Sequence, residues 1–382
     1  MPYAEAVSKH LPDKQRRIHV KSATAFLYLF LSLGSPESPG FIYTLRSTIP
    51  VGAGLGSSAS VCVCLSAALL LQIRALAGPH PDHPVEEAEM QIEHINRWAF
   101  VDELCIHGDP SRVDNTVSAG GRAVMFQRNN NNNLGPPSVI RLTKFPRLPL
   151  LLVDTQQSRS ISIQVEKAKT LKSNHPEITD IILDRIGNIA TSALELISSA
   201  NFHGSGSSDA LGNLGTLIGV NHGLLVSLGV SHPRLERIRE LVDYASIGWT
   251  KLSGAGGGGC DITLFRPDIE ERTIEELGRK FTAEGFTKYE TILGADGVGV
   301  LWPAMFRNDT DGETREEIDQ EIFENADGAQ GIDQLMKIGK AGSFGRENLG
   351  QDEQPFRSTG LTSCECVMLA VLYHAFSPWD WS

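Results

Sequence analysis

Two kinds of residue in this sequence are spaced for chemistry on a phosphate: small residues that bare their backbone, and acids placed close to them. The first small-residue segment, Pro50-Val51-Gly52-Ala53-Gly54-Leu55-Gly56-Ser57-Ser58-Ala59, leads from an aromatic, β-branched stretch into a long apolar run. Glycines let a backbone approach a ligand closely, and the following helix offers unpaired amides and a positive dipole end, a combination suited to a polyphosphate. The serines add hydroxyls for hydrogen bonding or a metal. The plain alternative is a serine-capped turn. The segment lacks the G-K-[ST] ending of a Walker loop, and its G-x-G-x-G spacing is not that of a dinucleotide fold.

Glu103 follows Ala99 by four residues, so it shares a helical stripe with Ile92, Ile95 and Ala99. A carboxylate there is costly to bury unless paired or bound to a cation; the alternative is a frayed helix end with a solvated acid. Asp114 closes the stretch His107-Gly108-Asp109-Pro110-Ser111-Arg112-Val113-Asp114-Asn115. Taken alone, it reads as a turn or cap aspartate. A second glycine-rich segment, Lys251-Leu252-Ser253-Gly254-Ala255-Gly256-Gly257-Gly258-Gly259-Cys260, lies about 200 residues after the first.

The elements that must position these residues alternate in period. Val20–Leu33 reads as a helix and Phe41–Ser47 as a strand. Ser58–Gln72 is apolar nearly all round, which predicts a buried central helix. A helix starts at Pro84, Thr116–Gln127 reads as a strand pair, and Asn129–Asn133 as a solvated loop. Leu148–Asp154 reads as a buried strand opening a second domain, with the boundary near Phe145. The chain is then mainly helical to Ala245, followed by a strand at Ile262–Phe265, a helix at Ile274–Glu284 and a strand at Gly297–Trp302. The class is α+β, with expected units 1–145, 146–305 and an atypical acidic tail, 306–382.

At 382 residues the chain is long enough for two domains with separate cores. A net charge of −12, from 46 acidic and 34 basic residues, argues against a general nucleic-acid binder. Six scattered cysteines are no disulfide framework. The apolar run Ala23–Leu33 is about half a membrane span. The polar start carries no visible signal, so no membrane and a cytoplasmic setting are expected.

The two glycine segments, in this order and at this separation, resemble the phosphate-binding and C-terminal glycine motifs of the galactokinase, homoserine kinase, mevalonate kinase and phosphomevalonate kinase superfamily. The His107–Asn115 stretch is similar to the H-G-N-P-S-G-V-D-N loop of the mevalonate kinase family. The resemblance runs from about Arg17 to about Pro303. It implies a two-domain small-molecule kinase fold, with an N-terminal domain like ribosomal protein S5 domain 2 and a ferredoxin-like C-terminal domain. By the same resemblance, Asp114 is the catalytic aspartate that accepts or orients the proton of the 5-hydroxyl of mevalonate. Ser47, Gly52, Ala53, Gly54, Leu55, Gly56, Ser57 and Ser58 bind ATP, and Ser58 with Glu103 holds Mg²⁺. His107, Ser111 and Arg159 contact substrate, while Gly254, Gly256, Gly257 and Gly258 form a structural loop. His222, in a family-like segment from Val220 to Leu235, reads as structural. A homodimer is implied. The alternatives are another kinase of the superfamily or an impaired relative that only binds nucleotide.

The pattern departs from the family in places. Nothing in Met1–Lys21 matches the family's first motif, K-x-x-x-x-G-E-H-x-x-V-x-G, and the tail from about Ala341 has no family counterpart; the expectation is slow turnover. Arg112 replaces a glycine, which predicts a blocked pocket or a changed backbone. Gln156 replaces a usual Lys and Ile161 a usual Thr.

Overall fold

The computed structural model describes residues 2–35, 42–47, 49, 55–76, 85–108, 110–127, 138–157, 160–199, 202, 207–267, 269–300, 305–307, 315–326, 331 and 342–343. The first half is built on helices: α1 (Pro2–Ser8), α2 (Asp13–Leu33), α3 (Ser57–Gln72), α4 (Val85–His107) and α5 (Val113–Gly120). A hairpin of β1 (Ala123–Gln127) and β2 (Ser138–Leu142) follows, antiparallel, with Met125 opposite Ile140. The asparagine run between them lies outside the described residues.

The second half runs β3 (Leu148–Asp154), α6 (Ile161–Asn174), α7 (Pro176–Ser198), α8 (Ser207–Ser227), α9 (Pro233–Ala245), β4 (Gly248–Leu252), β5 (Cys260–Phe265), α10 (Glu271–Ala283) and β6 (Thr287–Leu293). Short pieces follow: β7 (Gly299–Val300), β8 (Met305–Arg307), β9 (Arg315–Glu317), α11 (Gln320–Asn325) and β10 (Gly342–Ser343).

Helix α3 is as central as its composition predicts. Cys62, Val63, Ala67 and Leu70 meet Ile92, Ile95 and Ala99 of α4 and Ala119 of α5. Leu65 and Leu69, on another side of α3, meet Leu29 of α2. A helix enclosed on several sides cannot carry a polar face. Burying one such Leu or Ile stabilises by roughly 1.5–3 kcal/mol, so this cluster anchors the two helices that carry the site.

In the second half the strands form one antiparallel sheet in the order β4-β5-β3-β6. With helices between β3 and β4 and between β5 and β6, this is the ferredoxin-like βαββαβ arrangement. Leu151 and Val153 face Ile238, Val242 and Phe281 of α9 and α10. Leu148 and Leu150 face Ile197, Ala210 and Leu214 of α7 and α8. A strand covered on both faces has no reason to alternate, which explains the unbroken apolar sequence of β3.

Several expected elements differ. Residues 42–47 are in no strand. Their β-branched and aromatic side chains serve packing instead: Tyr43 stacks edge-on against Phe26 at 5.2 Å. Arg46 Nη1 donates to the carbonyl of Phe323 at 2.8 Å, tying this stretch to the end of α11. Thr116–Gln127 is half helix, because the Arg112 carbonyl accepts from both the N–H (3.1 Å) and the hydroxyl (2.7 Å) of Thr116. Of Gly297–Trp302, Gly299 and Val300 form β7, paired with β10, and Leu301 and Trp302 lie outside the described residues. Val298 and Val300 pack on the α3–α4 cluster, so the chain crosses back to the first half after β6.

Candidate functional site

Two loops and one helix end converge at the N-terminus of α3. Gly56 is the residue before the helix, with φ +74°, a left-handed conformation that glycine takes without strain. Gly52, Ala53 and Gly54 lie outside the described residues, as do Asp109 and Arg159. Leu55 and Ser57 are half-buried beside Gly56. Ser47 is exposed, and its hydroxyl accepts from the Ile49 N–H at 3.2 Å.

Ser58 begins the second residue of α3 and reaches α4. Its Oγ donates to Glu103 Oε1 at 2.8 Å. Glu103 is 4% exposed, at the end of the stripe of Ile92, Ile95 and Ala99. The solvated, frayed alternative is therefore not what forms. Burial pushes the Glu103 carboxyl above its usual range, the Ser58 hydroxyl and the His107 ring pull it back, and the Asp114 charge pushes it up again. His107 Nε2 lies 3.0 Å from Ser58 Oγ and 3.8 Å from Glu103 Oε1. The single proton of Ser58 is spent on Glu103, so His107 Nε2–H donates to the serine oxygen.

Asp114 sits in the first turn of α5, where the helix dipole favours an acid. A methyl group built on Gly56 would lie 3.6 Å from Asp114 Cβ and Cγ. The Asp114 side chain thus rests on the bare glycine at the mouth of α3. Ser60 of α3 and Ser118 of α5 meet through their hydroxyls at 3.2 Å and hold the two helices together. Ser111 is exposed, and its hydroxyl accepts from the Val113 N–H at 3.4 Å.

Hydroxyl and carboxylate oxygens are hard donors. Among the described residues no cluster of three His, Cys, Asp or Glu side chains could hold a metal by itself. One carboxylate and one hydroxyl are the sparse protein share that Mg²⁺ takes when phosphates and water complete its shell. The donor set fits that ion.

The Arg112 side chain is turned onto α4. The residue keeps the left-handed conformation that a glycine would take, φ +67°, and its guanidinium lies over the Phe100 ring, 4.1 Å from the centroid.

The second glycine segment is packed rather than open. Gly254, Gly256, Gly257, Gly258 and Gly259 all have positive φ. A methyl on Gly256 would come 2.1 Å from the Val230 carbonyl oxygen, one on Gly257 2.2 Å from Gln164 Nε2, and one on Gly258 2.9 Å from the Gln157 carbonyl oxygen. His222 is fully buried, and its Nδ1 accepts the Leu252 N–H at 3.1 Å at the entry to this loop. Its Nε2 therefore carries the proton and faces Glu236 at 3.3–3.4 Å, a structural role. The same loop is laced to the start of the 155–157 segment: Thr155 N–H and hydroxyl both donate to the Gly259 carbonyl, at 2.9 and 2.8 Å. Gln156 takes φ +55° and turns its amide to Asp154 (2.9 Å) and Thr287 (3.1 Å). The side chain of Ile161 is not among those described.

Three residues near these loops were not singled out from the sequence. Asp102 is fully buried beside Cys62, and burial pushes its carboxyl up to about 6; its spacing of seven from Ile95 is the signal. Asp261 is fully buried with no hydrogen-bond partner on either oxygen, and burial pushes it up to about 8. Arg234 donates to the Thr155 carbonyl at 2.9 Å and stacks on Phe286 at 4.1 Å, a tertiary contact with no sequence signal.

With this geometry in view, the chain can be set beside known proteins. Models of the GHMP kinases N-terminal domain and the GHMP kinases C-terminal region match residues 19–101 and 195–283. The chain is 65% identical over 338 residues to mevalonate kinase erg12 of Aspergillus fumigatus, covering 88% of this chain and 62% of that protein. It is 56% identical to mevalonate kinase ERG12 of Gibberella zeae, covering 88% of this chain and 66% of that protein. It is 38% identical to the mevalonate kinase of Candida albicans over 81% of this chain and 71% of that protein. The chain thus spans less than two thirds of the length of the first two relatives. Among solved structures, L. major mevalonate kinase in complex with R-mevalonate superposes with a TM-score of 0.54 at 23% identity, covering 75% of this chain and 81% of that one, which marks a shared fold. Among the described residues no helix is long and apolar enough to cross a membrane.

Proposed function

Because the chain belongs to the mevalonate kinase family, among the GHMP kinases, we propose that it transfers the terminal phosphoryl group of ATP to the 5-hydroxyl of mevalonate, a step of isoprenoid and sterol synthesis. The observation that carries this reading is the meeting of Ser58, Glu103 and Asp114 at one helix mouth on the family's motifs. Phosphoryl transfer asks a protein chiefly for positioning and charge neutralisation, and these residues supply the parts for both.

The phosphates of ATP would lie on the amides of the first glycine segment, from Gly52 to Ser58, at the positive end of α3. Ser58 and Glu103 would hold Mg²⁺, which when bound neutralises charge on the phosphate oxygens. His107 holds the Ser58 hydroxyl, and we assign it to that pair as well as to the substrate side. Asp114 accepts the proton of the 5-hydroxyl as its oxygen bonds to phosphorus and the bond to the ADP oxygen breaks. A carboxylate so placed contributes about 10²–10⁴-fold. Ser47, Ser111 and Arg159 are assigned to the nucleotide and substrate sides by resemblance. The division near residue 145, a homodimer and a cytoplasmic location belong to the same proposal.

The test is acceptor choice. The full chain is incubated with MgATP and mevalonate, galactose or homoserine, and the phosphorylated product is read by ³¹P NMR. A new monoester resonance with mevalonate alone is expected. Transfer to either other acceptor in preference would assign the chain to another kinase of the superfamily.

A further inference from the structure

Arg112 stands between the two helices that carry the acids. It is the residue before α5, two positions before Asp114, with φ +67° and ψ −7°. An arginine has no torsional reason to take the left-handed region, and such a conformation persists only where surrounding contacts over-determine it. Two contacts do so here. The guanidinium carbon lies 4.1 Å from the centroid of Phe100, which is on α4 three residues before Glu103. The Arg112 carbonyl takes both the N–H and the hydroxyl of Thr116, at 3.1 and 2.7 Å, and Asn96 of α4 donates to the same hydroxyl at 3.4 Å.

We propose that Arg112 is a positioning residue: its stack on Phe100 clamps the first turn of α5 onto α4 and so sets the distance from Asp114 to the Ser58–Glu103 pair. A glycine at this place, as in the family pattern, takes the same backbone conformation but has no side chain to span the helices. Arginine suits the task better than lysine, because its planar guanidinium stacks on an aromatic face. The guanidinium lies over the ring, and this contact ties the turn to α4. The proposal rests on the kinase reading above.

The experiment compares the full chain with Arg112→Gly, Arg112→Lys, Phe100→Leu and the Arg112→Gly/Phe100→Leu double variant. It measures kcat, the KM for ATP, and amide exchange across residues 113–117. Misplacing a catalytic group costs rate more than ground-state binding, so Arg112→Gly should lower kcat by about tenfold while the KM for ATP stays within about twofold. Phe100→Leu should cost a similar amount, and the double variant should be no worse than the poorer single one. Arg112→Lys should recover part of the loss, and exchange over 113–117 should quicken in the glycine and leucine variants. An unchanged or raised kcat in Arg112→Gly overturns the proposal, as do additive losses or a lysine variant no better than glycine. Should Phe100→Leu fail to fold, the glycine and lysine variants decide alone. If the parent chain transfers nothing to mevalonate, the kinase reading fails, and exchange decides the clamp: unaltered protection refutes it, faster exchange upholds it.

Discussion

Replacing Gly256 by alanine separates a packed glycine loop from a merely flexible one. Gly256 has φ +74°, and a methyl there would lie 2.1 Å from the Val230 carbonyl oxygen. That oxygen already accepts the Gly257 N–H at 2.8 Å. Holding an alanine in the left-handed region costs about 1–2 kcal/mol. Pushing the Val230 carbonyl aside forfeits a hydrogen bond worth about 1 kcal/mol. The sum, roughly 2–3 kcal/mol, should lower the midpoint of thermal unfolding by about 4–12 °C. Gly187, in the middle of α7, is the control: it has helical backbone and nothing within 4 Å of an added methyl. Gly187→Ala should stabilise by about 0.5–1 kcal/mol. Melting curves followed by circular dichroism read both. A Gly256→Ala midpoint within about 1 °C of the parent would refute the reasoning, since it would mean that neither the torsion nor the contact constrains the loop. Because the loop is laced to Thr155 and Gln157, turnover should fall with stability.

Other outcomes follow from the buried acids. Glu103→Gln should weaken Mn²⁺·ATP binding by at least about tenfold, since even outer partners of metal ligands matter that much; paramagnetic resonance of the bound ion measures it, and unchanged affinity would remove Glu103 from the metal site. Asp261 has a folded carboxyl raised to about 8 from an ordinary 3.8. Below about pH 4 both states hold the proton; as pH rises toward 8 the unfolded chain releases it first, so stability falls through that window by several kcal/mol. Urea unfolding of Asp261→Asn across this range should lack that slope, and parallel curves would contradict the assignment.

Much of this was legible because single residue types leave few choices. The i, i+4 spacing from Ala99 put Glu103 on the stripe that packs on α3, and Gly56 of the first loop and the glycines of the second sit at positive φ. The unbroken apolar run of β3 announced a strand covered on both faces. What the pattern missed depends on partners far along the chain. Residues 42–47 have strand composition but are tied to the end of α11 instead, since β-propensity is realised only where a neighbouring strand exists. Thr116 is β-branched yet helical, because the Arg112 carbonyl and Asn96 of α4 both take its hydroxyl as a partner. The stack of Arg112 on Phe100 joins residues twelve positions apart, and no local rule foretells it.

The central claim is that Asp114, held on Gly56 beside Ser58 and Glu103, takes the proton during transfer to mevalonate. Rapid-quench single-turnover phosphorylation of mevalonate, at saturating MgATP and with enzyme in excess, tests it most directly. The parent chain should form the phosphate ester in one exponential phase. Asp114→Asn should slow that phase by more than about 100-fold while its measured ATP affinity stays within about twofold of the parent. An asparagine variant that loses ATP affinity but keeps its transfer rate would contradict the account.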